Sequence, residues 1–327
     1  MKLGIIAFKV SISALCVWLV LRHVDFVPSY HFLGTRDGLI ALSVAVVILL
    51  AQAILGALRL RSILRLLGDD LSMRTSFSVW MVGLFVSQAV LTFVAGDVAR
   101  VWQLIKRGYA RRMASAAILL DRALGFVVLL GMVLICEPVL LARTPPGGLR
   151  VGLIILAASS VGGIVAFIGS AFLGGLLARL PEGWRDRGVV ASALDVASAA
   201  RHLPRSSKLS MMIVFASAAM HLCNVLAFFA LGLAAGVDMD FTSTLSVVLP
   251  AMLISLMPIA LAGWGVREGA IIVGYGLFGV TSTSALATSV AFGLSLLIIS
   301  LPGAFFIRLV KSELPLIPIR TLCDGRQ

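Results

Sequence analysis

The residues that could do chemistry are arginines and carboxylates set within apolar stretches. Arg267 and Glu268 are the only charged residues between Asp240 and Arg308. A charge at membrane depth costs roughly 2.5–3.5 kcal/mol on insertion scales, so such residues usually face a partner or a water-filled cavity. Because the guanidinium fork binds phosphate through two parallel hydrogen bonds, Arg267 indicates a site for an anionic group.

A second charged set lies earlier in the chain. Asp97 and Arg100 are three residues apart and would share one face of a helix. A helix beginning at Gly96 would direct its free N–H groups into the membrane, where they could bind an anion. We expect Arg100 and Arg267 to hold a phosphate together. The candidate substrate-binding residues are Asp97, Arg100, Asp121, Arg122, Trp264, Arg267 and Glu268.

Two of these assignments have a structural alternative. Asp121 and Arg122 could equally form an internal ion pair that holds two helices together. Trp264 fits a cavity wall or an ordinary aromatic residue at the membrane interface.

Helix-breaking residues accompany the charges. In lipid every backbone N–H and C=O needs an internal partner, so a broken helix is tolerated only against protein or a cavity. The predicted helix breaks are at Gly96, Pro258, Gly263 and Gly265.

The composition is that of an integral membrane protein. The chain is 60% hydrophobic and 13% charged, with a mean hydropathy of +1.07. Its net charge of +12 comes mostly from arginines in short loops, as the positive-inside rule requires, which argues against nucleic-acid binding. The cysteines and histidines lack metal-ligand spacing, so no metal or disulfide framework is expected. His221, within an apolar segment, fits a hydrogen bond between helices better than a catalytic role.

The apolar segments predict an all-α polytopic membrane protein, with both termini on the cytoplasmic side. One integral domain covers 1–327, and a cytoplasmic amphipathic linker at 178–208 joins its halves. A basic loop is expected at Arg59–Arg74. The six predicted full spans are Leu3–Leu21, Gly38–Leu58, Met113–Leu141, Val151–Leu177, Leu209–Ala235 and Ser284–Ile307.

Two further segments predict re-entrant hairpins. The first enters at Ser76, breaks near Ala95–Gly96 and returns through a basic stretch to the same side. The second covers Leu245–Val280 and breaks at Gly263–Gly265. The simpler alternative makes each hairpin a pair of ordinary spans, for about eight in all.

The two breaks also resemble each other. Gly96 to Arg100 and Gly263 to Arg267 both read G-x-x-x-R, at an offset of 167 residues. Inverted repeats whose broken helices meet near the midplane are typical of secondary transporters. The alternative is chance similarity between two glycine-rich apolar stretches.

No motif for ATP hydrolysis or for a hydrolase is present, so the chain is expected to be no enzyme and to need no cofactor. These features favour transport.

Several blocks resemble the lysylphosphatidylglycerol synthase transmembrane family, a flippase-like membrane domain that also occurs as a stand-alone protein. They are AGDVARVWQLIKRG, ILLDRALG, LPAMLISLMPIALAGWGVREGA and SLPG, in a consistent order over Leu58–Gly303. At the first break the family usually has a proline before G-G-D, whereas this chain has Leu91 and then Ala95-Gly96-Asp97.

The resemblance implies a protein of the bacterial or archaeal cytoplasmic membrane that moves an anionic phospholipid or a glycan or isoprenoid lipid between leaflets. The alternatives are a non-transporting partner of an envelope-lipid enzyme and, more weakly, a transferase that acts on a polyprenyl-phosphate lipid. The synthase activity of two-domain relatives is not expected here. The expected partners are anionic membrane lipids, an envelope-lipid biosynthesis enzyme and a second copy of the chain.

Overall fold

The computed structural model describes residues 34–90, 92–177, 206–256 and 265–310, together with positions 197, 200 and 203. The predicted first span and nearly all of the linker at 178–208 therefore lie outside the described residues. In chain order the helices are α1 (Arg36–Leu66), α2 (Met73–Ala89), α3 (Phe93–Lys106), α4 (Arg111–Arg143), α5 (Gly148–Leu177), α6 (Ser207–Ala234), α7 (Phe241–Ser255), α8 (Val266–Gly276), α9 (Ser282–Ser300) and α10 (Pro302–Val310).

Helices long and apolar enough to cross a membrane confirm five of the six predicted spans. They are α1, α4, α5, α6 and the segment that begins with α9. Polar side chains cap the starts of several helices. For example, the hydroxyl of Ser72 accepts the N–H of Thr75 at α2, and the carboxylate of Asp240 accepts those of Thr242 and Ser243 at α7. The chain is therefore an all-α polytopic membrane protein.

The predicted basic loop at Arg59–Arg74 is wrong in its first half, because α1 continues to Leu66. Leu60, Ile63 and Leu64 are fully buried, so the apolar face of α1 extends past the length of a minimal span. Arg65, in its last turn, hydrogen-bonds exposed Asp70 and thereby lowers the pKa of that carboxyl group to about 2.

The first hairpin is formed by α2 and α3, which pack side by side and antiparallel. Gly83 of α2 lies against Arg100 of α3, and Ser87, one turn further along α2, lies against Gly96, one turn back along α3. The helices have 17 and 14 residues, or about 25 and 21 Å at the usual helical rise. Each is shorter than the hydrocarbon core of about 30 Å. The structure thus shows the short paired helices that the re-entrant prediction requires.

The predicted break at Ala95–Gly96 is misplaced, since α2 ends at Ala89 and α3 begins at Phe93. Gly96 lies inside α3 and has a packing role. A Cβ atom there would come within 2.4 Å of the Gly83 carbonyl oxygen and 1.9 Å of the Ser87 hydroxyl. The missing side chain allows α2 and α3 to approach closely.

The second hairpin is formed by α7 and α8, of 15 and 11 residues. Gly274 of α8 lies against Val247 of α7, which keeps the two helices in close contact. Gly265 precedes α8 with a φ of +85°, a conformation that glycine adopts readily, and α8 starts directly after it. Pro258, Gly263 and Trp264 lie outside the described residues.

The last predicted span, Ser284–Ile307, is divided. Helix α9 ends at Ser300, and α10 starts at Pro302, whose ring lacks the N–H that an uninterrupted helix would need. Helix α10 packs on α2, where Gly303 lies against the Met81 carbonyl.

Helices α1–α4 form one half and helices α6–α9 form the other. Each half consists of a long helix, a hairpin of two short helices and another long helix. The first helices of the halves, α1 and α6, pack along each other. Gln52 bonds to Asn224, and two turns further along α1, Arg59 bonds to Ser217, two turns back along α6. These helices therefore run antiparallel, as an inverted repeat requires.

Candidate functional site

A buried ion pair joins α1 to α4 at the centre of the site. Arg59 donates from Nε to Asp121 Oδ1 at 2.7 Å and from Nη2 to Oδ2 at 2.8 Å. Its remaining Nη1 group donates to the hydroxyl of Ser217 on α6. Only 5% of Arg59 and 2% of Asp121 is exposed. Gly125, one turn beyond Asp121, makes room for Arg59, because a Cβ atom there would lie 2.7 Å from Nη1.

A second ion pair joins α3 to α4. Arg122 Nε lies 2.5 Å from Asp97 Oδ2, and the Arg122 side chain is 41% exposed. The adjacent residues Asp121 and Arg122 therefore have different partners. Asp121 pairs with buried Arg59 of α1, and Arg122 pairs with Asp97 of the first hairpin.

Arg100 lies between these two pairs with incomplete hydrogen bonding. Its Nη1 atom is 3.7 Å from Asp97 and 3.9 Å from Asp121, beyond hydrogen-bond distance of both carboxylates. Its Nε atom is buried and has no hydrogen-bond partner in the described structure. Buried polar groups are almost always satisfied, so the Arg100 guanidinium group has hydrogen-bonding capacity that the described residues do not use.

The site formed by Arg59, Arg100, Arg122, Asp97 and Asp121 is called the arginine cluster below. Three arginines against two aspartates leave one net positive charge. Each aspartate already bonds to an arginine other than Arg100. The arginine cluster is therefore suited to bind an anion, and Arg100 is the member whose donors are least engaged by the aspartates.

Trp80 of α2 packs against the guanidinium group of Arg100. The Arg100 guanidinium carbon lies 3.9 Å from the centre of the indole ring, in cation–π contact. Gly56 of α1 allows this placement, because a Cβ atom there would lie 2.3 Å from the ring. The indole fixes the plane of the guanidinium group and also shields one of its faces.

The Arg267–Glu268 pair predicted at the second hairpin is present, and further hydrogen bonds hold both side chains. Arg267 Nε donates to Glu268 at 3.0 Å and to the hydroxyl of Ser289 on α9 at 3.1 Å. The other oxygen of Glu268 accepts the N–H of Gly265, the residue that precedes α8. Glu268 thus both neutralises Arg267 and caps the broken end of the helix.

A cavity of about 210 Å³ lies between the two hairpins. Trp80, Leu84 and Gln88 of the first hairpin form part of its wall, and Met252 and Arg267 of the second form another part. Most of the wall is apolar. The polar residues that line it are Gln52, Gln88, His221, Asn224, Ser255 and Arg267.

The candidate residues therefore fall into two groups. Asp97, Arg100, Asp121 and Arg122 meet in the arginine cluster, whereas Arg267 lines the cavity and Glu268 pairs with it. The prediction for His221 is confirmed as a contact between helices, since its Nε2 atom lies 3.0 Å from the Gly125 carbonyl oxygen of α4. Trp264 lies outside the described residues, and joint binding of one phosphate by Arg100 and Arg267 stays a prediction.

Sequence reasoning missed Arg59, Trp80 and the carboxamides of the cavity. The missed signal for Arg59 is that the apolar helical pattern continues beyond it through Leu60, Ile63 and Leu64. Trp80 and Gln88 carry no local signal, because only the folding of the first hairpin against α1 places them at the site.

Together, the fold and the site define a polytopic helical membrane protein with two short helical hairpins and a buried cluster of charges. Residues 6–303 match the family described as "Lysylphosphatidylglycerol synthase TM region", and the chain belongs to that family. It is thus a multi-pass membrane protein of a family related to lipid handling. No curated protein and no solved structure matches the chain significantly.

Proposed function

We propose that the protein is a flippase-like transporter that moves an anionic lipid between the leaflets of the cytoplasmic membrane. The observation that carries this proposal is Arg100, whose buried Nε atom lacks a partner within a cluster of net positive charge. A lipid phosphate can balance the charge and accept hydrogen bonds from the terminal nitrogens of Arg100, since Nη1 lies beyond hydrogen-bond distance of both aspartates. No reacting group is required, so the proposal is for transport without catalysis.

The pairing within the arginine cluster supports reversible binding. Asp97 and Asp121 lie just outside hydrogen-bond distance of Arg100, so they lower the cost of its buried charge without occupying its donors. When a phosphate leaves Arg100, the long-range attraction of the two carboxylates remains and partly offsets the loss. In this proposal that attraction allows the headgroup to be released as well as bound.

The architecture supports movement along a path between the hairpins. The cavity touches both hairpins and the antiparallel helices α1 and α6. Transporters with inverted repeats bind substrate at the repeat interface and alternate by rocking one repeat against the other. In this proposal the headgroup travels between the hairpins while the acyl chains stay in the bilayer.

The proposed membrane orientation and partners rest on the distribution of basic residues and on the lipid substrate. The basic segments between helices support an orientation with both termini on the cytoplasmic side, and we propose the cytoplasmic membrane as the location. The lipid is the principal partner, and an envelope-lipid biosynthesis enzyme or a second copy of the chain would be an additional one.

The test is transport of fluorescent phosphatidylglycerol in proteoliposomes, measured by quenching the label in the outer leaflet. We expect the protein to move the lipid faster than empty liposomes do, and Arg100→Gln to reduce the initial rate at least tenfold. Lys106→Gln is the matched control, because Lys106 is an exposed cation on the same helix, outside the cluster.

Circular dichroism and size-exclusion chromatography would show that both variants fold. If the wild type gave no transport of any anionic lipid, with or without a proton gradient, the proposal would be wrong and a scaffold role would take its place. A folded Arg100→Gln variant with the wild-type rate would exclude the arginine cluster as the binding site.

A further inference from the structure

One carboxyl group of helix α4 is buried without a partner. Glu137 is 2% exposed, and neither of its carboxyl oxygens forms a hydrogen bond in the described structure. It also forms no ion pair there, whereas the carboxylates of Asp97, Asp121 and Glu268 all pair with arginines. An ionised carboxylate without a partner is very costly to bury, and such a group takes up a proton instead. The geometry therefore indicates that Glu137 is a neutral carboxylic acid in this conformation.

The ionisable groups of the helices that pack against α4 do not pair with Glu137. Helix α7 has no ionisable residue, and the single one of α5, Arg150, is exposed. Those of α1, α3 and α6 lie towards the arginine cluster or at exposed helix starts. They are Arg36, Asp37, Arg59, Arg61 and Arg65 of α1, Asp97, Arg100 and Lys106 of α3, and Lys208, His221 and Cys223 of α6. On α4 itself, Cys136 is a free thiol and the guanidinium group of Arg143 lies over the ring of Phe278. No described charge thus stabilises an ionised Glu137.

Glu137 and the arginine cluster lie towards opposite ends of one helix. Asp121 and Glu137 are 16 residues apart on α4, or about 24 Å, and Glu137 is six residues, or about 9 Å, from the helix end at Arg143. Pro138 follows Glu137 inside the helix and has no N–H for the carbonyl group of Leu134, one turn back. Helix α4 is therefore weakened next to Glu137, and a change in its bend there would open the carboxyl group to water.

We propose that Glu137 binds a proton that crosses the membrane together with the lipid. An anionic lipid that moves alone transfers charge across the membrane, and a proton that moves with it cancels this charge. Intramembrane carboxyl groups carry protons in this way in pumps and transporters. The carboxyl group is neutral in the closed conformation and releases its proton once bending at Pro138 exposes it to water. This inference rests on the proposed function and adds the energy source of the transport, which is a proton gradient.

The first test determines the protonation state of Glu137 without transport. Infrared difference spectroscopy of the wild type against Glu137→Gln, in lipid at neutral pH, should show a neutral carboxyl C=O band that only the wild type has. Glu137→Leu removes a buried polar group without a partner, so its Tm should equal or exceed that of the wild type. Absence of the band, or a large fall in the Tm of Glu137→Leu, would show that Glu137 is ionised and paired, and would overturn the inference.

The second test measures proton movement during transport. Proteoliposomes that contain a pH-sensitive dye receive fluorescent phosphatidylglycerol, and in the wild type the proton signal should follow the lipid signal. Glu137→Gln, the uncharged counterpart of the protonated acid, should still move the lipid down its own gradient. It should lose the proton signal and the acceleration by an imposed pH gradient. Asp238→Asn is the control and should keep both, since Asp238 is an exposed carboxylate in the segment before α7.

The outcomes separate the inference from the proposed function. If the wild type moves lipid without protons, or if folded Glu137→Gln keeps the proton signal, the inference is wrong while transport stands. If no lipid moves although the neutral carboxyl band is present, the proposed function fails and the coupling fails with it, whereas the band still assigns a bound proton to Glu137.

Discussion

Arg59 binds both carboxylate oxygens of Asp121, across 62 residues of sequence and at 2.7 and 2.8 Å. This pair determines the chemistry of the neighbouring Arg100. Because Asp121 is already engaged by two donors, it remains 3.9 Å from Arg100, which keeps a buried and unpartnered Nε atom. The proposed binding of an anionic lipid thus depends on Arg59, a residue that need not contact the lipid.

Breaking this pair is expected to destabilise the protein strongly. Asp121→Asn removes the charge that balances buried Arg59, and loss of one partner of a buried pair costs about 3–5 kcal/mol. Thermal unfolding in detergent should show a large fall in Tm. Arg65→Gln, which disrupts an exposed pair with Asp70, is the control and should leave Tm nearly unchanged. Equal Tm values for the two variants would contradict the role given to Arg59 and Asp121.

Two glycines of α4 offer a matched comparison. A Cβ atom at Gly125 would lie 2.7 Å from Arg59 Nη1, whereas nothing lies within 4 Å of a Cβ atom at Gly131. Gly125→Ala should therefore displace Arg59 and lower both Tm and transport. Gly131→Ala should be neutral or slightly stabilising, because alanine is the better helix former. Similar losses in both variants would show that general helix packing, and not the Arg59 site, is sensitive.

The first hairpin depends on close approach at Gly96. Gly96→Ala would place a Cβ atom 2.4 Å from the backbone oxygen of Gly83, which cannot move aside as a side chain can. We expect reduced yield of folded protein and faster cleavage of the hairpin by a protease. Gly269→Ala in the second hairpin, with nothing within 4 Å, is the control. A Gly96→Ala variant as protease-resistant as the control would disprove the packing role.

Substitutions in the hydrogen-bond network around Glu268 should lower the stability of the protein by different amounts. Ser289→Ala removes hydrogen bonds to Glu268 and Arg267 and should cost about 1 kcal/mol. Glu268→Gln leaves the buried Arg267 without its neutralising charge and should cost about 3–5 kcal/mol. Tm measurements of the two variants would check this order. A larger effect for Ser289→Ala would mean that the hydroxyl, and not the ion pair, maintains the break at α8.

Much of the fold could be predicted from the sequence because membrane spans have strong local signals. The long apolar segments, both hairpins and the start of α8 after Gly265 were anticipated from hydropathy and helix breakers. The position of the break in the first hairpin could not be predicted in the same way. Gly96 was interpreted as a helix breaker, yet its contacts with Gly83 and Ser87 show that tertiary packing requires it.

The site was predicted only in part for a related reason. A buried charge can be recognised in a sequence, but its partner cannot when the two are far apart. Arg59 was assigned to a loop because a minimal span ends before it, and only the fold brings Asp121 within reach. The carboxamides of the cavity and Trp80 were missed because such residues are common in helices and acquire meaning only where helices meet.

The most direct test of the account is the ratio of phosphatidylglycerol to phosphatidylcholine transport, measured in the same proteoliposomes for the wild type and for Arg100→Gln. The glutamine removes the net positive charge of the arginine cluster. We predict a ratio well above one in the wild type that falls towards one in the variant, chiefly through slower phosphatidylglycerol movement. A ratio that stays unchanged while both rates fall together would contradict the claim that Arg100 selects an anionic headgroup.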